Sequence, residues 1–394
     1  MDIWKEHSEA AKKERWKALW AMEDLPRPLW FIPACPMLAV PEERIRRRLP
    51  VDRIFTDKEV QLKASLRFNR FFKPVQRVWS RDDFVLRLQP QMGVGVLASA
   101  FGCRIVFPPE QMPWSHYVIT ANEDASRVYD LSPPGVRAGL LGEVLDFAAF
   151  FQKKTGGRYP IAMTDLQGPI NTASLIWDTT DFMAAMYSNP EAVHHIMRLA
   201  TDLTIKFVKE FRSQVGEFVP SHFPPVYLPD GMGIAVSEDN MAMMSPSTYE
   251  KFSVPYLNEL SEEFGGIVIH SCGNIEHQLG VLAKVHKLRG LNFGVSETRF
   301  AAVWDRLGGK TAIIPHCSGE TIVERFHNAL EWVEHVLRIK THNRGLALMV
   351  PPDVGDMHQA KHDRSLGKSG SYYDNQWDLL RLGYQIRKLI ETYA

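Results

Sequence analysis

Short apolar runs alternate along the chain with segments in which apolar residues recur every three to four positions. The alternation is regular from residue 158 onward, and it is typical of parallel strands that are joined by helices. It predicts strands at residues 159–163, 217–220, 266–270, 288–293, 311–315 and 346–350. The pattern therefore indicates an α/β fold.

Two prolines mark predicted helix starts. Asn189 and Ser245 are typical N-cap residues, and each is followed directly by a proline, which is favoured in the first turn of a helix. Before residue 150 the pattern is less regular. It predicts an amphipathic helix at the N-terminus, a proline-rich connection over 33–41 and a helical segment near 56–72. We expect these residues to supply the first strands and an elaborated rim.

Composition narrows the class of protein. Apolar residues make up 45% of the 394 positions, and 10 Trp and 21 Phe are among them, so the chain can form a large core. Basic and acidic residues balance at 46 each, and only residues 46–48 form a basic run, which argues against nucleic acid or an acidic membrane as a partner. Neither a secretory signal nor a long apolar stretch occurs, so we expect a cytoplasmic protein.

Cysteine usage points to thiols and not to disulfides. Four cysteines (Cys35, Cys103, Cys272 and Cys317) are too few and too scattered for a disulfide framework in a chain of this length. In a reducing compartment they remain thiols. They are therefore candidate metal ligands or core residues.

The segment GGIVIHSCGNI contains the best candidate site. Its apolar strand ends at His270, and Cys272 follows before a Gly-Asn turn. Residues two apart on a strand point to the same side, so an imidazole nitrogen and a thiolate could bind one zinc ion. Cys317 or His316 could be the third ligand, and we prefer Cys317. A histidine bonded to a carbonyl beside an inert buried cysteine stays open as the alternative.

Five segments resemble the uroporphyrinogen decarboxylase superfamily, which includes zinc-dependent methyltransferases that act with corrinoid proteins. They are GVGVLASAFGC (93–103), TDLQGPINTASLIWDTTDFMAAMYSNPEAV (164–193), SEDNMAMMSPSTYEKFSVPYL (237–257), IHSCGN (269–274) and LRGLNFG (288–294). The resemblance implies an α/β fold of the (β/α)8 TIM-barrel type with an elaborated N-terminal segment. We interpret residues 1–394 as a single domain, in which 1–90 form N-terminal helices and rim and 91–394 form the barrel core.

The sequence departs from the motifs of the superfamily at two places, and both bear on whether it resembles the decarboxylases or the methyltransferases. The decarboxylases carry an arginine-rich RQAGRY motif that meets substrate carboxylates, and the corresponding stretch here is PLWFIPACPMLAVPE (28–42). Porphyrinogen decarboxylation is therefore disfavoured. The methyltransferases carry a His-x-Cys pair and a later cysteine. The pair matches His270 and Cys272, but the later stretch, LALMVPPDVGD (346–356), has no cysteine, so Cys317 or a carboxylate would have to replace it.

The resemblance thus implies a zinc-dependent methyltransferase that moves a methyl group between a small donor or acceptor and a corrinoid held by a partner protein. An aryl methyl ether (O-demethylation), a methylamine or a thiol fits this role, and a homodimer is one expected assembly. A metal-independent decarboxylase or lyase, with Asp165 or Glu238 as the acid, is the first alternative. A non-catalytic corrinoid- or tetrapyrrole-binding module, with His270 as axial ligand, is the second.

Further polar residues are candidates because they follow predicted strands or lie in the resembling segments. The expected catalytic residues are Glu238, Asp239 and Asp165, and the expected substrate-binding residues are Gln167, Asn240, Tyr227 and His316. Helix capping and loop hydrogen bonding are the alternative roles of the acidic and amide residues.

Overall fold

A sheet of six parallel strands forms the centre of the computed structural model of the protein. In spatial order its strands are β1 (Leu29–Phe31), β10 (Ala347–Met349), β9 (Ala312–His316), β8 (Leu288–Gly294), β7 (Ile267–Ser271) and β6 (Ile234–Ser237). Almost every residue of these strands is buried. Burial on both faces explains why the strands appear in the sequence as continuous apolar runs.

Backbone hydrogen bonds extend this sheet at both edges. β4 (Ile161–Ala162) and β5 (Phe218–Val219) form a parallel pair, and Leu88 bridges to Ile161. Asp83 N donates to Trp30 O on one edge strand, and Ala235 N of the other edge strand donates to Pro220 O. The segment 83–88 and the β4–β5 pair therefore connect the two edges, as expected for the predicted (β/α)8-type α/β fold, which is confirmed. An antiparallel pair, β2 (Ile105–Val106) and β3 (Trp114–Ser115), lies apart from this sheet.

Helices surround the strands. They are α1 (Glu9–Trp20), α2 (Lys58–Val75), α3 (Val96–Ala100), α4 (Leu140–Thr155), α5 (Pro169–Ile176), α6 (Thr179–Ser188), α7 (Pro190–Ser213), α8 (Pro246–Phe252), α9 (Val254–Phe264), α10 (Leu279–Leu282), α11 (Phe300–Leu307), α12 (Ala329–Ile339) and α13 (Gln376–Thr392). Short 3-10 helices span Ala125–Asp130, Asp239–Met243 and Glu276–Gln278, and a π-helical turn spans Gln76–Ser80.

The predicted helix starts are confirmed. The Asn189 side chain accepts a hydrogen bond from Ala192 N at the start of α7, and the Ser245 side chain accepts one from Thr248 N at the start of α8. Each helix has its proline in the first turn. The N-terminal helix and the helical segment near 56–72 also occur, as α1 and α2.

Each of the six predicted strands overlaps an observed strand, but β6 was not predicted. β6 has only four residues, IAVS, and it lies between a turn and an acidic segment. A run so short carries little periodicity. This omission matters for function, because β6 leads directly into the SEDN segment.

The structure describes residues 7–33, 53–108, 112–317, 325–351 and 376–394. Most of the predicted proline-rich connection, Cys35, Pro352 and Asp353 lie outside these ranges. The interpretation as a single domain with a division at residue 90 stays a prediction, and β1 lies N-terminal to that division. Among the described residues, no helix combines the length and the apolar character needed to span a membrane.

Candidate metal centre

The carboxyl ends of β6 and β7 bring three potential ligands together. Ser237 pairs with His270 in the parallel register, and Glu238 N donates to His270 O at 2.8 Å. The chain then turns into the 3-10 helix that begins at Asp239. One ligand atom each from Asp239, His270 and Cys272 lies within 4.8 Å of the others. We call these three residues the donor group.

A neighbouring strand fixes the orientation of His270. Its Nδ1 lies 2.7 Å from Asn292 Oδ1, and Asn292 Nδ2 donates to Ile314 O at 2.5 Å. Because the amide nitrogen of Asn292 faces a carbonyl, its oxygen faces His270, and Nδ1 of His270 must carry the proton. The lone pair of His270 then lies on Nε2, the nitrogen that faces the donor group. Burial lowers the pKa of His270, although the negative charge of Asp239 acts to raise it. The lowered pKa favours the neutral ring that a metal needs.

Cys272 and Asp239 hold each other in place. Cys272 N donates to Asp239 Oδ1 at 2.7 Å. His270 Nε2 lies 3.4 Å from Cys272 Sγ and 3.7 Å from Asp239 Oδ1. The His270 side chain is 7% exposed, whereas that of Asp239 is 44% exposed and Cys272 is also exposed. The donor group is therefore anchored in the protein on its histidine side and open on the other side.

A chain of polar side chains connects the donor group to a second histidine. Asn171 Nδ2 faces both Asp239 Oδ2 at 3.3 Å and Gln167 Oε1 at 2.9 Å. Gln167 Nε2 donates to Asp165 Oδ1 at 2.7 Å, and His222 Nε2 lies 2.9 Å from the same oxygen. Such a network positions each of its members. The structure thus places Asp165, Gln167 and Asp239, all predicted site residues, in one network.

Asp165 is ionised within this network. Burial alone would raise its pKa, but the hydrogen bonds that the His222 ring and the Gln167 amide donate favour the carboxylate and bring the pKa below its ordinary value. His222 Nδ1 accepts a hydrogen bond from Leu166 N, so the ring proton lies on Nε2 and points at Asp165. Asp165 is therefore a carboxylate and not a proton donor at neutral pH.

Aromatic rings pack next to His270. The Phe223 ring lies edge-on to His270, with centroids 4.5 Å apart, and it also contacts His316 at 6.1 Å. His316 Nδ1 lies 3.2 Å from Asn292 Nδ2, and burial beside His270 lowers the pKa of His316 to about 3. His316 is therefore a neutral ring at the inner side of the donor group, linked to it through Asn292.

The remaining predicted site residues have other contacts. The Glu238 carboxyl is buried against Ser253 and Tyr249, and burial raises its pKa to about 8. Asn240 is bonded to Ser174 and Asn171 of α5, which gives it a structural contact.

Tyr227 donates its hydroxyl to Glu217 at 3.0 Å, and Lys13 of α1 lies over its ring, so the structure places it against the N-terminal helix. Cys317 is fully buried just after β9. The group of close ligand atoms found among the described residues does not include Cys317. Its role as the third ligand stays a prediction, and Asp239 is the third member that the geometry provides.

Sequence reasoning did not single out Asn171, His222 or Asn292. Asn171 and Asn292 do lie in the segments that carry the family resemblance. Asn292 has a further signal, because it is an amide within an otherwise apolar strand, LRGLNFG. A buried polar residue needs a partner. Only the β7–β8 register, which pairs Asn292 with His270, identifies that partner.

The comparisons with known proteins agree with this fold. Residues 91–345, more than half of the chain, match the family model described as uroporphyrinogen decarboxylase (URO-D). A solved structure with the same fold is a methyltransferase from Methanosarcina mazei, which is 16% identical, with a TM-score of 0.67 over 97% of this chain and 99% of that chain. No curated protein sequence matches significantly. The family resemblance seen in the sequence is thus confirmed, and the chain belongs to the uroporphyrinogen decarboxylase (URO-D) family.

Proposed function

We propose that this protein is a zinc-dependent methyltransferase that moves a methyl group between a small donor or acceptor and a corrinoid held by a partner protein. The convergence of His270 Nε2, Cys272 Sγ and an Asp239 carboxylate oxygen within 4.8 Å carries this proposal. The structurally similar protein from Methanosarcina mazei is itself a methyltransferase. Membership in the URO-D family is compatible with this activity.

The donor group fits zinc by its chemistry. An imidazole nitrogen, a thiolate and a carboxylate oxygen are all zinc ligands, and three protein ligands with an open side are typical of catalytic sites. The hydrogen bond from His270 Nδ1 to Asn292 is the outer contact that usually accompanies a metal-binding histidine. In this proposal Asp239 takes the place of the later cysteine that the family resemblance led us to expect as the third ligand.

Bound zinc and the surrounding residues would have separate roles in this reaction. Bound zinc would supply a Lewis acid that activates a thiol or polarises an ether oxygen. Asn292 orients His270, and the Cys272 N–H together with Asn171 holds the Asp239 carboxylate. Phe223 shields the inner side of His270 from water, and the exposed side of the donor group offers access to a corrinoid on another protein.

The alternative of an acid-dependent decarboxylase has less support from the geometry. Asp165 is held as a carboxylate, and Glu238 is sealed among Tyr249, Ser253 and the backbone near Gly168. Neither is a protonated acid that faces an open site. An axial ligand role for His270 is also disfavoured, because its Nε2 already faces Cys272 and Asp239.

The test combines metal content with methyl transfer. We expect about one zinc per chain by elemental analysis, and X-ray absorption should show nitrogen, sulfur and oxygen ligands. Methyl transfer to cob(I)alamin from methoxyaromatics, methylamines and methyl thioethers is followed by the loss of Co(I) absorbance. His270→Ala should lose both zinc and transfer. His286→Ala is the matched control, because His286 is exposed and paired with Glu262. Full zinc content in His270→Ala, or full transfer by chelator-treated protein, contradicts the proposal.

A further inference from the structure

Arg87 is a buried cation that the proposed chemistry does not use. It lies near the end of the extended segment 83–88 and is only 8% exposed. Its guanidinium donates to Val226 O at 3.0 Å and to His222 O at 2.9 Å, and Asn69 supports its backbone by donating to Arg87 O. The guanidinium is thus held by backbone carbonyls.

Among the described residues, no carboxylate lies within ion-pair distance of Arg87. Burial lowers the pKa of its guanidinium to about 9, and no neighbouring negative charge counteracts this. Arg15 and Arg27 differ, because both pair with the buried carboxylate of Asp83 at 2.7 Å. A carbonyl satisfies an N–H group but does not neutralise the charge, so a buried cation without a counter-ion is costly to the fold.

The loop that Arg87 holds is the one that contacts the donor group. The loop from His222 to Val226 contains Phe223, whose ring centroid lies 4.5 Å from that of His270. Asp165 is bonded to the His222 ring and not to Arg87. A guanidinium has five N–H donors, so Arg87 retains donors for a ligand beyond the two carbonyl bonds.

We propose that Arg87 binds a single carboxylate of the substrate, so that the substrate of this protein is a small monoanionic methylated or methyl-accepting compound. This inference rests on the proposed function for the methyl transfer itself. One guanidinium supplies one counter-charge, which matches one substrate carboxylate. The pairing would neutralise the buried charge, and the loop that Arg87 holds carries Phe223 next to His270.

The test compares each carboxylate probe with its neutral amide. The probes are 3-methoxybenzoate and methoxyacetate, each measured beside its amide by isothermal titration calorimetry. The protein is first treated with chelator so that no probe carboxylate can bind a metal. We expect at least one carboxylate to bind the parent protein about ten- to hundredfold more tightly than its amide, the range of a charge-assisted hydrogen bond. In Arg87→Met this preference should fall to near unity.

Arg344→Met is the matched control, since Arg344 is exposed on the loop before β10, and it should keep the preference of the parent. A preference that survives in Arg87→Met overturns the proposal and leaves Arg87 as a structural contact of the 222–226 loop.

If Arg87→Met does not fold, the titrations of the parent protein alone still test the proposal. Equal affinity for carboxylate and amide, or no binding of either carboxylate, overturns it. Because the protein is metal-free and no transfer is measured, this result is independent of the zinc and methyl-transfer tests.

Discussion

Replacement of Asn292 tests whether the orientation of His270 matters for metal binding. Asn292→Ala removes the acceptor of His270 Nδ1 at 2.7 Å and the donor to Ile314 O at 2.5 Å. Loss of the contact that orients a metal-binding histidine typically weakens metal affinity about 10- to 100-fold, or about 1.4–2.8 kcal/mol. The buried groups left without partners should also lower the free energy of unfolding by about 2–4 kcal/mol.

Zinc affinity is measured by competition with a chromogenic chelator, and stability by urea unfolding of the metal-free protein. Asn292→Asp restores an acceptor for His270, so we expect it to recover most of the zinc affinity even where stability stays low. Asn343→Ala is the control, because Asn343 Nδ2 donates to Leu25 O far from the donor group. Parent-like zinc affinity in Asn292→Ala, or equal losses in the alanine and aspartate variants, would refute the role of Asn292.

Three further predictions concern stability, each measured by denaturant unfolding of the metal-free protein. Burial would raise the pKa of Asp83, but the charges of Arg27 and Arg15 lower it to about 2. The ionised carboxylate therefore contributes to the free energy of unfolding above pH 3.8, and this contribution is lost as the pH falls towards 2. Asp83→Asn should therefore cost about 3 kcal/mol at pH 7, and an unchanged midpoint would contradict this. Burial raises the pKa of Glu238 from 4.5 to about 8. The free energy of unfolding, compared with that of Glu238→Gln, should therefore fall by about 1.4 kcal/mol per pH unit between pH 4.5 and 8. A difference that does not change with pH would argue against a buried neutral acid. A Cβ at Gly168 would lie 1.8 Å from Glu238 Oε1, whereas nothing lies within 4 Å of one at Gly280, so Gly168→Ala should destabilise strongly and Gly280→Ala should not.

The family resemblance was needed to favour a metal at the centre of the site, but strand periodicity predicted the geometry of the pair. It placed His270 and Cys272 on the same side of one strand end, and the structure brings their ligand atoms together. Asp239 was harder to distinguish from Glu238 and Asn240, which are its neighbours in the sequence. The turn into the 3-10 helix after β6 points Asp239 at Cys272 and Glu238 into the core. Because β6 itself was not predicted, sequence patterns alone could not make that distinction.

Long-range register explains the other residues that were missed. Asn292 becomes meaningful only when β8 pairs with β7, and Arg87 only when its guanidinium meets the loop after β5. For Cys317 the residue type suggested a ligand, but the direction of its side chain does not support that role. Cys317 follows His316, and neighbouring residues of an extended chain point to opposite sides. His316 faces Asn292, so Cys317 is directed away from that side. Residue type alone therefore could not rank these two candidates.

The donor group is confined to a short part of the chain. All three members lie between residues 239 and 272, on two adjacent strand ends, and the Cys272 N–H already holds the Asp239 carboxylate in place. The rest of the barrel mouth is built by other strands and loops. Mutations there can change what is bound without disturbing these three residues. Related chains with this fold can therefore keep the same three residues, and with them the reaction, while the residues that select the substrate change.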